Sequence, residues 1–346
     1  MRHKAILPEG GSPKTKKARP PKCGPPCCCL EAEPREQHEK LKALSPLRVL
    51  VLGGSGFVSG AVARQALAAG HEVSCVTRGL RPLPAGAKAI KADRSVPGEL
   101  EAALQKQAPD YDLVVDCIGY KAEDARQDIA LFGKHCRHLA FISSDFVFDP
   151  DKRQFPQPEN NPHFLQNDSY GAHKRRCELE FLRAEPHFSR WSIFRPCHVY
   201  GPGSKLGCLP KHGRDPELLQ SLLAERPLSL VGAGKFLQQP IYVDDLARLV
   251  LSSVFSPCCN AQIYNCAGPD IIESVQYYEI LAALLQRKLN IEELPVLQYR
   301  QEHPEHKSFL CHRVYSLDKI RLDCLETPKT PIAQGLKLHL ESLYEQ

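Results

Sequence analysis

A short apolar strand that runs into a glycine-rich turn and then a helix constrains this chain more than any other feature. The segment VLVLGGSGFVSG, residues 49–60, is that unit. LRVLVL, residues 47–52, is apolar at nearly every position, as expected of a strand buried on both faces of a parallel sheet. Gly53 permits a tight turn, and Gly56 lets backbone approach a pyrophosphate. Phe57 and Val58 open the helix, whose free amides and dipole attract an anion. The third glycine of the usual spacing is Ser59, with Gly60 next, which predicts slightly looser contact between helix and sheet.

The strand–helix alternation continues. A helix is expected over 57–69, stopped by Gly70. Strands follow in HEVSCVTR, AKAIKAD, YDLVVDCIG, HLAFISS and SRWSIFRP, the last ending at Pro196. Helices are expected near 97–106, 121–135 and 170–183 between them. This order implies an α/β fold, a doubly wound parallel sheet of Rossmann type. Beyond Pro196 the pattern loosens into a Gly/Pro-rich loop, HVYGPGSKLGCLPKHG, then PLSLVG, IYVDDLARLVLSSVF, QIYNCAG and VQYYEILAALLQRKL. The expected organisation is a tail over 1–45, a dinucleotide-binding domain over 46–200 and a smaller substrate-binding region over 201–346. Some elements of that region return to the sheet and cap its carboxyl edge, where open α/β sheets bind ligands.

Charge separates the tail from the body. Residues 1–48 hold 11 Lys/Arg against 5 Asp/Glu, leaving 34 against 35 in the rest of the 346 residues. The body therefore shows no basic excess that would track a nucleic-acid strand, and nucleic acid is not expected as its partner. The tail is rich in Pro, Lys and Cys without an apolar period, which predicts disorder. PKTKKARPPK within it reads as a solvated segment or a nuclear-import patch. Fifteen cysteines without framework spacing point to a reducing compartment, so a cytoplasmic location is expected. No run reaches the roughly 18 apolar residues of a membrane span. Asp244 and Asp245 read as helix-capping residues rather than a metal pair, and no metal is expected.

Tyr170 and Lys174, in SYGAHK, lie four residues apart on one helix face. An ammonium beside a phenol favours the phenolate, so Lys174 is expected to lower the Tyr170 pKa and make it an acid or base near neutrality. Ser143 and Ser144 end a strand at the cleft edge, where a hydroxyl can orient a substrate oxygen. Arg78 follows the second strand, where an acid would bind the adenosine ribose of NAD. A guanidinium there suits a 2′-phosphate, so NADP is favoured over NAD. Asp93, ending the third strand, is a candidate for the adenine amino group or a cap.

The segments VLVLGGSGFVSG, FISSDFVFDP, SYGAHK, FRPCHVYGPG, IYVDDLA and IYNCAG, in that order over about residues 47–270, resemble an extended short-chain dehydrogenase/reductase of the NAD-dependent epimerase/dehydratase type. The resemblance implies a Ser–Tyr–Lys set of Ser144, Tyr170 and Lys174. It also places Lys174 on the nicotinamide ribose and Pro196, Cys197 and His198 near the nicotinamide. Relatives acting on sugar nucleotides commonly carry an arginine about five residues before the VDD element, gripping the diphosphate. Gln238 and Gln239 stand in that region, and an amide cannot replace a bidentate guanidinium. VTRG and the glutamines are similar to an atypical branch that includes chloroplast stem-loop-binding proteins, which typically lack the tyrosine retained here as Tyr170. The expected activity is that of an NAD(P)-dependent oxidoreductase or epimerase on a small hydroxyl- or carbonyl-bearing molecule such as a sugar derivative. Ser143, His198 and Gln238 are substrate candidates, and a homodimer through the 121–135 and 170–183 helices is implied. The alternative is a non-catalytic RNA-binding or dinucleotide-sensing protein on the same scaffold.

Overall fold

The structure, a computed structural model, describes residues 46–106, 110–184 and 189–344. The expected tail over 1–45 lies outside the described residues. Seven parallel strands form the main sheet: β1 (Arg48–Leu52), β2 (Glu72–Thr77), β3 (Lys88–Lys91), β4 (Tyr111–Asp116), β5 (Cys136–Ile142), β6 (Arg190–Pro196) and β11 (Gln262–Cys266). Their order is β11-β6-β5-β4-β1-β2-β3. The order reverses between β1 and β4, so their carboxyl ends splay apart there and open a crevice.

The apolar runs follow from this burial on both faces. Along β1, Val49 and Val51 point into one layer while Leu50 and Leu52 point into the other. The first layer is completed by α1 (Phe57–Ala68) and α6 (Val243–Ser252), which pack on each other. The second is completed by α2 (Glu99–Gln105), α3 (Ala122–Phe132) and α4 (Tyr170–Leu182). Thus β11 and α6 return to the sheet from the C-terminal half of the chain.

A separate core lies beyond the carboxyl edge. It joins Tyr200 of the short β7 (Val199–Tyr200), α5 (Leu218–Leu223), β8 (Leu228–Val231), α7 (Ser274–Leu285) and α10 (Ile332–Tyr344). Three more short strands complete this part: β9 (Leu237–Gln238), β10 (Ile241–Tyr242) and β12 (Ile272–Glu273), with β9 antiparallel to β12 and β10 parallel to β7. After β13 (Ile291–Leu294), pairing with β8, comes α8 (Val296–Glu302) and a 3-10 turn over Pro304–Phe309. Residues 313–316 then strap across the molecule, bonded to Leu237 on one side and Gln157 on the other, and α9 (Asp318–Leu322) docks Ile320 into the first layer. No helix among the described residues is long and apolar enough to cross a membrane.

Candidate active site

The glycine turn is held by contacts that only glycine tolerates. Gly53 and Gly54 sit at φ +118° and +79°, and a Cβ on Gly54 would come within 2.5 Å of the Cys75 Cβ. Ser59 does not loosen the packing as expected. It is buried, and its hydroxyl accepts the Gly56 N–H at 3.0 Å, capping the helix that a glycine would leave uncapped. The first turn of α1 holds no acidic residue, and Phe57 and Val58 face a cleft of about 720 Å³.

That cleft gathers most of the candidates. Gly56, Phe57, Val58, Ser143, Ser144, Tyr170, Lys174, Pro196 and His198 all line it. Gly171 explains how Tyr170 gets there. A Cβ at this position would lie 1.9 Å from the Phe146 carbonyl oxygen, so only glycine lets α4 press against the turn over 145–147 that follows β5. The approach sets the Tyr170 ring edge-on to Phe146 with centroids 6.4 Å apart.

Lys174 is almost fully buried and donates to the carbonyls of Gly119 and Ile142, each at 2.6 Å, with its ammonium over the faces of Tyr120 and Phe141. It therefore ties the carboxyl ends of β4 and β5 together. Tyr170 is half exposed at the rim, and its pKa is pushed up to about 12. Desolvation of the phenol is the main cause, followed by Tyr120, while a hydrogen bond to Ser144 and the Arg214 charge pull it down. The expected lowering by Lys174 is not seen, because the ammonium is turned onto backbone carbonyls. Burial lowers the Lys174 pKa as well, against the pull of Asp116.

Other candidates are placed differently. The Ser143 hydroxyl donates to Glu178 at 2.7 Å, and that carboxylate is clamped by Arg195 and Arg175, so Ser143 braces β5 against α4. Ser144 accepts the Phe146 N–H at 3.2 Å and presents its hydroxyl to Tyr170. Gln238 is completely buried outside the cleft with both side-chain polar atoms unpartnered. Gln239 is consumed by the Tyr315 N–H and the Gly268 carbonyl. Asp93 accepts from Ser95 and serves as a local cap. Arg78 is exposed after β2; hydrogen bonds from Ser95 chiefly hold the Asp93 carboxyl below its usual range, with Arg78 adding a smaller pull.

His198 lines the cleft with its pKa lowered to about 4 by burial and by Arg214, so it is neutral at pH 7. Burial raises the thiols of Cys75, Cys177, Cys197 and Cys208, which excludes them as thiolate nucleophiles near neutrality. Asp244 and Asp245 both fall in the first turn of α6, and Asp245 accepts the N–H groups of Lys329 and Thr330.

Three groups of residues take roles that sequence reading did not assign. Arg94 lies buried between Asp116 at 3.0 Å and Asp128 at 2.9 Å, fixing the end of β4. Desolvation and the facing Asp116 raise the Asp128 pKa well above the usual carboxylate range. Beside Ser144, Asp145 takes up Arg153 at 3.2 Å, the Tyr315 hydroxyl at 2.5 Å and Arg313. Arg214, Glu305 and Phe309 also line the cleft, brought from segments with no periodicity to announce them.

The sequence profile described as "NAD dependent epimerase/dehydratase family" matches residues 49–267. The chain is 23% identical over 246 residues to the chloroplast stem-loop binding protein of 41 kDa b from Arabidopsis thaliana, covering 66% of this chain and 60% of that protein. It is 40% identical over 81 residues to a 2′-dehydrokanamycin reductase of Streptomyces kanamyceticus, covering 23% of this chain and 22% of that one. The chain thus spans less than two thirds of the length of these curated relatives. In fold it is similar to the UDP-N-acetylglucosamine 4-epimerase of Methanobrevibacter ruminantium M1, with TM-score 0.71 and 19% identity, over 88% of this chain and 100% of that one.

Proposed function

The chain belongs to the NAD-dependent epimerase/dehydratase family, and from that premise we propose that it is an NAD(P)-dependent oxidoreductase or epimerase acting on a hydroxyl- or carbonyl-bearing sugar derivative. One observation carries this reading: Ser144, Tyr170 and Lys174 line the same cleft as the glycine turn and the acid-free start of α1. These residues fit a dinucleotide. The amides of Phe57 and Val58 suit its pyrophosphate, and Pro196 and Lys174 line the same cleft. Exposed Arg78, with Thr77 turned back on the Gly79 N–H, supports NADP over NAD.

A bound nicotinamide supplies the hydride acceptor. The chain's own residues handle the proton. In oxidation the Tyr170 phenolate removes the substrate hydroxyl proton, and Ser144 holds the same oxygen by hydrogen bond. Lys174 has three donors, of which two are spent on carbonyls. His198, neutral, accepts or donates at the pocket wall without adding charge. In reduction Tyr170, protonated, gives its proton to the forming alkoxide.

Tyr170→Phe tests this directly. Dinucleotide affinity should stay at the wild-type value while turnover falls by at least about a hundredfold. Titration with NADP and with NAD in the same experiment reads the cofactor preference. Unchanged turnover in Tyr170→Phe removes the mechanism. A homodimer through α3 and α4 forms part of the proposal, and a solution mass of one chain counts against it. A cytoplasmic location goes with it and is open to fractionation.

The stem-loop-binding relative favours a second reading, RNA binding on the same scaffold. Steeply salt-dependent RNA retention that survives deletion of residues 1–45 would support it.

A further inference from the structure

The Asp244–Asp245 pair falls in the first turn of α6, but a different set of donor groups meets at the rim of the cleft. One donor atom each from His303, Glu305 and His306 lies within 4.8 Å of the others. Glu305 lines both the cleft and an adjoining pocket of about 870 Å³.

Local structure sets these side chains. As α8 ends, the His303 N–H reaches the Tyr299 carbonyl at 2.9 Å. Pro304 then opens a 3-10 turn in which the His306 N–H reaches the His303 carbonyl at 3.0 Å. Residues three apart eclipse in such a turn. The two imidazoles accordingly stack, with centroids 5.2 Å apart and planes 16° from parallel. The rings of Tyr299, 4.6 Å from His303, and Phe309, 4.9 Å from His306, continue the column.

Glu305 Oε1 stands 3.3 Å from His303 Nδ1 and 3.7 Å from His306 Nε2. The second distance is too long for a hydrogen bond. Both suit ligands of a shared ion, because donors about 2.1 Å from a tetrahedral metal lie about 3.4 Å from each other. Among the described residues Glu305 has no Lys or Arg partner, and the nearby Arg300 and Lys307 pair with Asp151 instead. The other nitrogen of His306, Nδ1, lies 2.8 Å from the hydroxyl of buried Tyr299. When Nδ1–H donates to that oxygen, Nε2 keeps its lone pair toward Glu305, the outer-shell arrangement that orients a metal-bound imidazole.

We propose that His303, Glu305 and His306 bind a divalent transition-metal ion of the zinc class at the lip of the cleft. Two imidazoles and a carboxylate suit such an ion better than magnesium or calcium. Three protein ligands leave a position open for water or another oxygen ligand. The ion clips the end of α8 to the turn that carries Phe309, whose ring meets Phe146 edge-on at 5.6 Å. The site goes beyond the dinucleotide reading and does not depend on it.

Cobalt(II) titration of the full chain, followed by visible absorption, tests it. The cobalt spectrum tells thiolate ligands from nitrogen and oxygen ones, which separates this site from the cysteines. The wild-type chain should take up a single equivalent with a spectrum of nitrogen and oxygen ligation. Glu305→Gln and His303→Ala should each lose that uptake. Tyr299→Phe, which keeps the ring and removes the hydroxyl, should weaken it by about tenfold or more. His173→Gln removes an imidazole paired with a carboxylate, Asp168 at 2.7 Å, outside this cluster, and should leave uptake unchanged. Without metal, the urea midpoints of wild type and Glu305→Gln should agree, because Glu305 is exposed. With cobalt only the wild-type midpoint should rise. No uptake, uptake with a thiolate spectrum alone, or equal uptake in Glu305→Gln and His303→Ala overturns the proposal and leaves the cluster as an ion pair. An equal loss in His173→Gln also overturns it, since any surface histidine would then serve.

Discussion

Tyr170 combines a half-exposed ring with a phenol whose pKa is pushed up to about 12. Near pH 7 it is protonated, the form that donates to a carbonyl. Oxidation needs the phenolate, whose fraction grows about tenfold per pH unit below the pKa. The kcat/KM for oxidation should therefore climb with pH across the neutral and mildly alkaline range, while that for reduction stays level. A flat oxidation profile between pH 6 and 9, measured with a slow substrate so that chemistry limits, would contradict this role. The four-residue spacing of Tyr170 and Lys174 was legible because a helix brings such residues to one face. The direction of the ammonium was not. It depends on the Gly119 and Ile142 carbonyls, which come from the loop after β4 and the end of β5.

At the scale of elements, the turn over 145–147 is held by a strap far away in sequence. Asp145, Arg153, Arg313 and Tyr315 form a buried cluster, with Arg313 also over the Phe146 ring at 4.4 Å. Removing one partner leaves a buried charge under-compensated. Arg313→Met should lower stability by about 3 kcal/mol in urea denaturation and lower turnover by loosening Ser144. Arg300→Met, which breaks an exposed contact to Asp151 at 3.7 Å, should cost less than about 1 kcal/mol. Equal effects would mean that the cluster is no clamp. The strands were readable as short continuous apolar runs buried on both faces, and the long helices as periodic ones. Residues 313–316 have no such pattern, and their position follows from pairing with Gln157 and Leu237.

For the whole molecule, burial of many weak acids predicts alkaline sensitivity. Cys177 and Cys208 are raised from 9.0 to about 12, Cys75 to about 11, and Tyr242 from 10.0 to about 12. Each holds its proton in the fold at a pH where the unfolded chain has released it. Their contribution is fully present below about pH 9 and is lost as pH rises toward 12, by about 1.4 kcal/mol per unit for each well-buried group. The urea midpoint should fall between pH 8 and 10, and an unchanged midpoint would refute this. Sequence by itself determined the strand–helix alternation, the glycine turn and the Tyr170–Lys174 spacing, because these are local patterns legible over a few turns of chain. Only tertiary structure decided that Ser143 braces a helix, that Arg94 is buried between two carboxylates, and that Arg214 lines the cleft. Those outcomes depend on which distant groups already hold each charge, and such partners come together only when the chain folds.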